Sequence, residues 1–144
     1  METMLISGGN GFLGKKILNL LKNNQKKIHV IIIVRNPNCI RTPPTSQLSD
    51  SSCQQVVGDI RDEVFVRDCM EEVDTVIHLA ALKDISYCEQ NPIEAVRTNI
   101  EGSINLLNHF NGTTFLAIST NKVIHPESCY GATKLLMEKI ILQD

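Results

Sequence analysis

Short apolar runs alternate with stretches of helical spacing along this chain. Met4-Leu5-Ile6 is the first run, and beyond a cluster of glycines Lys15-Lys16-Ile17-Leu18-Asn19-Leu20-Leu21 sets its apolar residues at helical intervals. Asn23 to Lys27 is a polar break whose lysines suit a helix C-terminus. Ile28 to Val34, IHVIIIV, is β-branched and nearly continuously apolar, as in a strand buried on both faces of a parallel sheet. Asn36 to Cys53 holds Pro37, Pro43 and Pro44 among many Ser and Thr, and reads mainly as loop. Gln54 to Val57 is a third strand, Glu63 to Glu72 a helix, and Asp74 to His78 a fourth strand running into the small-residue turn Leu79-Ala80-Ala81. Pro92 to Phe110 is the longest predicted helix, with Ile93, Val96, Ile100, Ile104 and Leu107 at spacings of three and four. Thr113 to Ser119 is a fifth strand, and Tyr130 to Leu142 a last helix.

Strands alternating with helices predict an α/β fold, a Rossmann-type doubly wound parallel sheet of order 3-2-1-4-5. Right-handed crossovers then bring all strand C-termini to one edge, where a ligand would sit. The glycine cluster falls at that edge. Gly8, Gly9, Gly11 and Gly14 fit G-x-G-x-x-G and G-x-x-G-x-x-G at once, between a strand and a helix. Gly8 and Gly9 allow the tight turn, Gly11 lets backbone approach a pyrophosphate, and Gly14 lets the helix pack on the strand. The free N–H groups and dipole of the helix start then face negative charge, with Lys15 and Lys16 adding to the field. The plain alternative is a tight turn with no ligand. Asn10, Phe12 and Leu13 lie within the same turn and join its glycines as candidate dinucleotide contacts.

Composition narrows the partners. The 144 residues suit one domain, with 42% hydrophobic and 21% charged positions, enough for a real core. A net charge of −2 argues against nucleic acid or an anionic membrane as the main partner. The longest apolar run, Val30 to Val34, is far short of a membrane span, and a strand beginning after Met1-Glu2-Thr3 leaves no room for a signal peptide. Cys39, Cys53, Cys69, Cys88 and Cys129 are widely spaced and never form C-x-x-C, which fits free thiols in a cytoplasmic protein and no metal site.

Two further places carry candidate chemistry. NAD-binding folds of this kind place an acid about 20 residues beyond the glycines for the ribose hydroxyls, whereas an Arg there accommodates a 2′-phosphate. Here the position reads Val34-Arg35-Asn36, so NADP is expected rather than NAD, with Arg35 on the phosphate and adenine; a solvated surface Arg is the alternative. Asp59 and Ile60, just after the third strand, fall where the adenine would rest, and a helix N-cap is the other reading of Asp59 or Asp62. Near the chain's end Tyr130 and Lys134 stand four apart on one helical face, where an ammonium favours the phenolate. Alone such a spacing is commonplace. Behind a nucleotide-binding N-terminus, and beside a strand ending in Ser119-Thr120, it reads as a proton-transfer pair.

Together GGNGFLG, Asp59, HLAALK, YCEQNPIEAVRTNIEG, ISTNKVIHP and YGATKLLMEK resemble the extended short-chain dehydrogenase/reductases. Within them the chain is most similar to the UDP-N-acetylglucosamine 4,6-dehydratases and related polysaccharide-biosynthesis epimerases and dehydratases. The resemblance implies a UDP-sugar substrate and an NADP-dependent internal redox cycle. Hydride leaves sugar C4, water is eliminated across C5 and C6, and hydride returns to C6. It implies Tyr130 as the base at the C4 hydroxyl, Lys134 tuning it and holding the nicotinamide ribose, Thr120 steadying the same hydroxyl, and Lys122 working at C5. Leu79, Ala80, Ala81 and Lys83 of the A-A-x-K turn would line the cofactor site. Asn99 matches the T-N-x-x-G of the long helix, as a cofactor contact or a structural group.

Two departures from the family pattern bear on activity. The usual S-T-D-K reads Ser119-Thr120-Asn121-Lys122, and an amide cannot deliver the proton that a carboxylic acid gives the leaving hydroxyl. Family members also run to about two domain lengths, so the chain is expected to be a partial enzyme lacking the C-terminal part that holds the sugar. The fifth strand would then keep an open edge, and the apolar last helix would await a second copy or a full-length relative. Besides a nucleotide-sugar enzyme, a non-catalytic dinucleotide-binding module and an inactive remnant fit these features.

Overall fold

The computed structural model describes residues 1–22, 27–36 and 53–143. Five parallel strands, β1 (Glu2–Ser7), β2 (Ile28–Val34), β3 (Cys53–Val57), β4 (Thr75–His78) and β5 (Thr114–Ala117), form one sheet of order β3-β2-β1-β4-β5. This is the expected Rossmann order, with the crossover reversal falling between β1 and β4. The expected loop is described only at Asn36 and Cys53, the latter now the first residue of β3, and the expected polar break only at Lys27; the rest of both lies outside the described residues.

The period of two along the strands builds a core on each face. Met4, Ile6, Val30, Ile32 and Val34 meet Leu18 of helix α1 (Phe12–Lys22) on one side. Leu5, Ile33 and Val76 meet Val66 of α2 (Glu63–Cys69) and Leu106 of α5 (Gly102–Asn108) on the other. Asp62 is the N-cap of α2, accepting from the Phe65 N–H at 3.1 Å, which settles that alternative in favour of Asp62 over Asp59. β5 lies at the sheet edge, with Leu116 and the following Ile118 exposed. No helix among the described residues is long and apolar enough to cross a membrane.

Two helical features differ from expectation. A short helix, α3 (Ile85–Gln90), capped by Asp84, occupies a stretch that carried no predicted element. The single long helix is instead α4 (Pro92–Val96), a π turn (Arg97–Glu101) and α5. A π turn inserts a residue and rotates the helix beyond it, so an apolar stripe spaced for an unbroken helix cannot stay on one face. Of the predicted stripe, Ile93 and Val96 before the π turn are exposed, Ile100 within it is buried, and Ile104 and Leu107 beyond it are half-buried, while Ala95, Thr98, Asn99, Ser103 and Leu106 are buried. Small and polar residues, Ala95, Thr98, Asn99 and Ser103, thus share the inward face with Ile100 and Leu106.

Candidate functional site

β1 ends in Ser7, and Gly8 turns the chain at φ +72°, where a Cβ would lie 2.8 Å from the Ala80 nitrogen. Only glycine serves both demands. Gly14 abuts Gly9, its added Cβ falling 2.5 Å from the Gly9 Cα, so α1 starts directly against the turn. Phe12 and Leu13 are exposed at that start, with Lys16 Nζ 5.8 Å from the Phe12 ring centre.

A cleft of about 210 Å³ opens at the C-terminal edge of the sheet, lined by Gly8, Asn10, Arg35, Asp59, Ala80 and Thr98 among others. Ile60 and Ala81 also reach it, so seven of the predicted dinucleotide contacts line the cleft, and Gly9, Gly11, Gly14, Asn99, Tyr130 and Lys134 do not. Leu79 and Lys83 do not line it: Leu79 packs on the core, and Lys83 is exposed. Burial alone would raise the Asp59 carboxyl. The Arg61 guanidinium and N–H, with the charge of Arg35, hold it below the usual carboxylate range. Arg61 Nη2 meets Asp59 Oδ2 at 2.7 Å and Nη1 meets Glu94 Oε2 at 2.6 Å, tying the end of β3 to α4.

Behind the cleft runs an oriented hydrogen-bond chain. The Ser103 hydroxyl donates to the Asn99 carbonyl at 2.8 Å, so its oxygen accepts from His78 Nε2 at 2.8 Å. That leaves His78 Nδ1 to accept from the Ser7 hydroxyl at 2.6 Å, while Ser7 Oγ accepts from the Ala80 N–H at 3.3 Å. The Asn99 side chain pairs with both backbone groups of Leu82, at 2.8 and 2.9 Å, and its amide reaches Thr133 Oγ1 at 3.0 Å. Thr133 in turn donates to the Tyr130 carbonyl at 2.9 Å. The Ala80–Leu82 turn is therefore gripped from both ends and joined to the helix that carries Tyr130. Burial, and then the charge of Lys134, lower the His78 pKa to about 3, so the ring is neutral.

The second cluster forms where β5 runs out. Thr120 caps a 3₁₀ turn (Asn121–Val123), accepting from the Lys122 N–H at 3.3 Å. Helix α6 (Cys129–Ile141) starts at the N-cap Ser128, and its Cys129 N–H donates to Glu89 Oε1 at 2.6 Å. A Cβ on Gly131 would stand 2.8 Å from the Lys122 carbonyl, so that glycine lets the turn bearing Tyr130 close on Thr120–Lys122. Tyr130 is half-buried and Lys122 exposed. Lys134 is 3% exposed. Its ammonium does not make the expected pairing with Tyr130. Lys134 Nζ instead donates to the Ile118 carbonyl at 2.7 Å and lies 3.0 Å from Met137 Sδ, because a buried ammonium must take the acceptor within reach. Burial lowers its pKa to about 8, against the pull of Glu138.

Among the described residues two buried hydroxyls have no hydrogen-bond partner, Thr98 Oγ1 on the cleft and Ser119 Oγ beside Thr120. Thr98 lies where a polar ligand in the cleft would supply one. His78, Ser7, Ser103, Arg61 and Thr98 were not singled out by the sequence. A His at the C-terminal end of an apolar strand was the one available signal, since burial and partners separate such a group from an ordinary core residue.

A Rossmann-type sheet with a glycine turn, an open cleft at the strand C-termini and a Tyr-x-x-x-Lys helix defines a nucleotide-binding α/β protein. Residues 4–144 match the family of polysaccharide biosynthesis proteins, and the chain belongs to that family. It is 36% identical, over 98% of its length, to the inverting UDP-N-acetylglucosamine 4,6-dehydratase of Campylobacter jejuni serotype O:23/36. It is 39% identical over the same share to a Methanocaldococcus jannaschii protein known as an uncharacterized membrane protein. The structure of Pen from Bacillus thuringiensis superposes with a TM-score of 0.88 at 36% identity, over 97% of this chain and 44% of that one. The chain spans 43% of the length of each of the two relatives.

Proposed function

We propose that this chain is the NADP-binding and proton-transfer half of a UDP-sugar dehydratase or epimerase, acting on a substrate such as UDP-N-acetylglucosamine in polysaccharide or glycan synthesis. The observation that carries the reading is the pairing of two sites on one sheet edge: the cleft with Arg35, and the Thr120–Tyr130–Lys134 cluster joined to it through Leu82, Asn99 and Thr133. Arg35 is exposed on the cleft wall, and no acid follows β2 in the described chain, which favours a 2′-phosphate over free ribose hydroxyls. The glycine turn would take the pyrophosphate on the N–H groups of α1. Tyr130 would accept the C4 hydroxyl proton while Thr120 holds that hydroxyl, and the cofactor, when bound, supplies hydride acceptance and return. Lys134, swung from Ile118, would serve the phenol and the ribose. The same reading places the protein in the cytoplasm, as its scattered cysteines suggest.

Asn121 bears on which reaction follows oxidation. The amide cannot protonate a leaving hydroxyl, so C4 oxidation or epimerisation is favoured over elimination. With NADP and UDP-N-acetylglucosamine, Asn121→Asp is expected to raise 4-keto-6-deoxy product on the order of tenfold or more while C4 oxidation stays constant. Mass spectrometry of the sugar products reads both. Equal elimination in the two proteins contradicts the role given to position 121, and no turnover by either favours the non-catalytic module.

A further inference from the structure

We propose that the Thr98 hydroxyl is a hydrogen-bonding contact to the adenine end of the dinucleotide, an inference that rests on the nucleotide reading of the cleft. Thr98 is 6% exposed, lines the cleft, and its Oγ1 has no partner among the described residues. A buried hydroxyl without a partner is costly, and natural folds retain few of them. A helical Thr commonly bonds the carbonyl one turn back. Here Thr98 Oγ1 makes no such bond to the Glu94 carbonyl, at the entrance to the π turn.

The end of the cleft that Thr98 faces is fixed by its neighbours. Gly102, one turn further along, lies so close to Ile60 that an added Cβ would stand 2.6 Å from the Ile60 Cδ1. Ile60 follows Asp59, and both line the cleft with Thr98. Thr98 therefore stands at the β3 side, where a purine edge offers ring nitrogens as acceptors and, on adenine, an amino donor. A hydroxyl can answer either. The Arg61 bridge from Asp59 to Glu94 braces both walls of this end.

The test uses ADP, which carries the adenine end without nicotinamide or a 2′-phosphate, and compares wild type with Thr98→Val and Thr98→Ser by calorimetric titration and unliganded melting. Valine keeps the shape and removes the unpartnered hydroxyl. We expect Thr98→Val to weaken ADP about 5- to 10-fold, the worth of one neutral hydrogen bond, and Thr98→Ser to stay within about twofold. The unliganded Tm of Thr98→Val should equal or exceed that of wild type. Tight ADP binding by wild type and Thr98→Val alike overturns the contact. So does a Tm that falls in step with affinity, which would mark a structural hydroxyl, or a Ser variant as weak as Val. If wild type binds neither ADP nor NADPH, the nucleotide reading itself fails, and this inference with it.

Discussion

Tyr130→Phe is expected to lower C4 oxidation of the UDP-sugar by about 10² to 10⁴-fold, the range carried by one positioned proton-transfer group, with NADPH affinity nearly unchanged. Tyr130 sits in the first turn of α6, held by the Ser128 cap on one side and by Thr133 bonding its carbonyl on the other. Gly131 lets that turn close on the Thr120–Lys122 turn. Phenylalanine preserves this packing, because none of these contacts uses the phenol oxygen. Single-turnover formation of NADPH measures the step, and direct titration measures affinity. A rate within a few-fold of wild type would remove Tyr130 from the reaction.

The second large effect is on stability in acid. His78 is fully enclosed, and burial followed by the Lys134 charge lowers its pKa to about 3 from an ordinary 6.5. Between those values the unfolded chain binds a proton that the folded chain refuses, so stability rises with pH through this window. The contribution is complete above pH 6.5 and lost as pH falls toward 3. From pH 7 to pH 4 the wild type should therefore lose about 3 kcal/mol more than His78→Gln. Ser7 and Ser103 bond the ring and do not titrate, and Lys134 is the charge that bears on it. Urea unfolding of both proteins at the two pH values gives the difference. Equal losses would show that the imidazole is not the acid-labile element. His78→Gln should also be less stable at pH 7, because one of the two serines loses its partner.

The apolar run of β2 and the glycine turn were legible in the sequence because burial on both faces and positive φ leave few choices of residue. The sheet order came from strand–helix alternation and crossover handedness. The π turn was not legible, since a register shift leaves no mark in residue type; Ile93 and Val96 looked like core and are exposed. Asp62 and Asp59 looked interchangeable until partners were assigned, one capping α2 and the other paired with Arg61. Lys134 was read as sharing a helical face with Tyr130, and spacing could not say that its ammonium would bond the Ile118 carbonyl instead of the phenol. His78 lay in plain view within HLAALK, but only the positions of Ser7 and Ser103, 71 and 25 residues away, show what it holds together.

The role proposed for Lys134 is set against stability. Its ammonium is buried at a depressed pKa of about 8, and burying a charge without a carboxylate partner opposes folding. A buried ammonium at a depressed pKa, one helical turn from Tyr130, supports the proposed proton-transfer role, since catalytic groups gather where pKa values are shifted.

The most direct test of the account is titration of the chain with NADPH and NADH, read by the cofactor's own fluorescence, which the absence of Trp leaves clear. Saturable binding that prefers NADPH is expected, with a preference that falls by about tenfold or more in Arg35→Ala, as loss of a charge-assisted phosphate contact would give. Equal affinity for the two cofactors, untouched by Arg35→Ala, would contradict the assignment of Arg35 to the 2′-phosphate. Binding of neither by a folded chain would contradict the dinucleotide site itself.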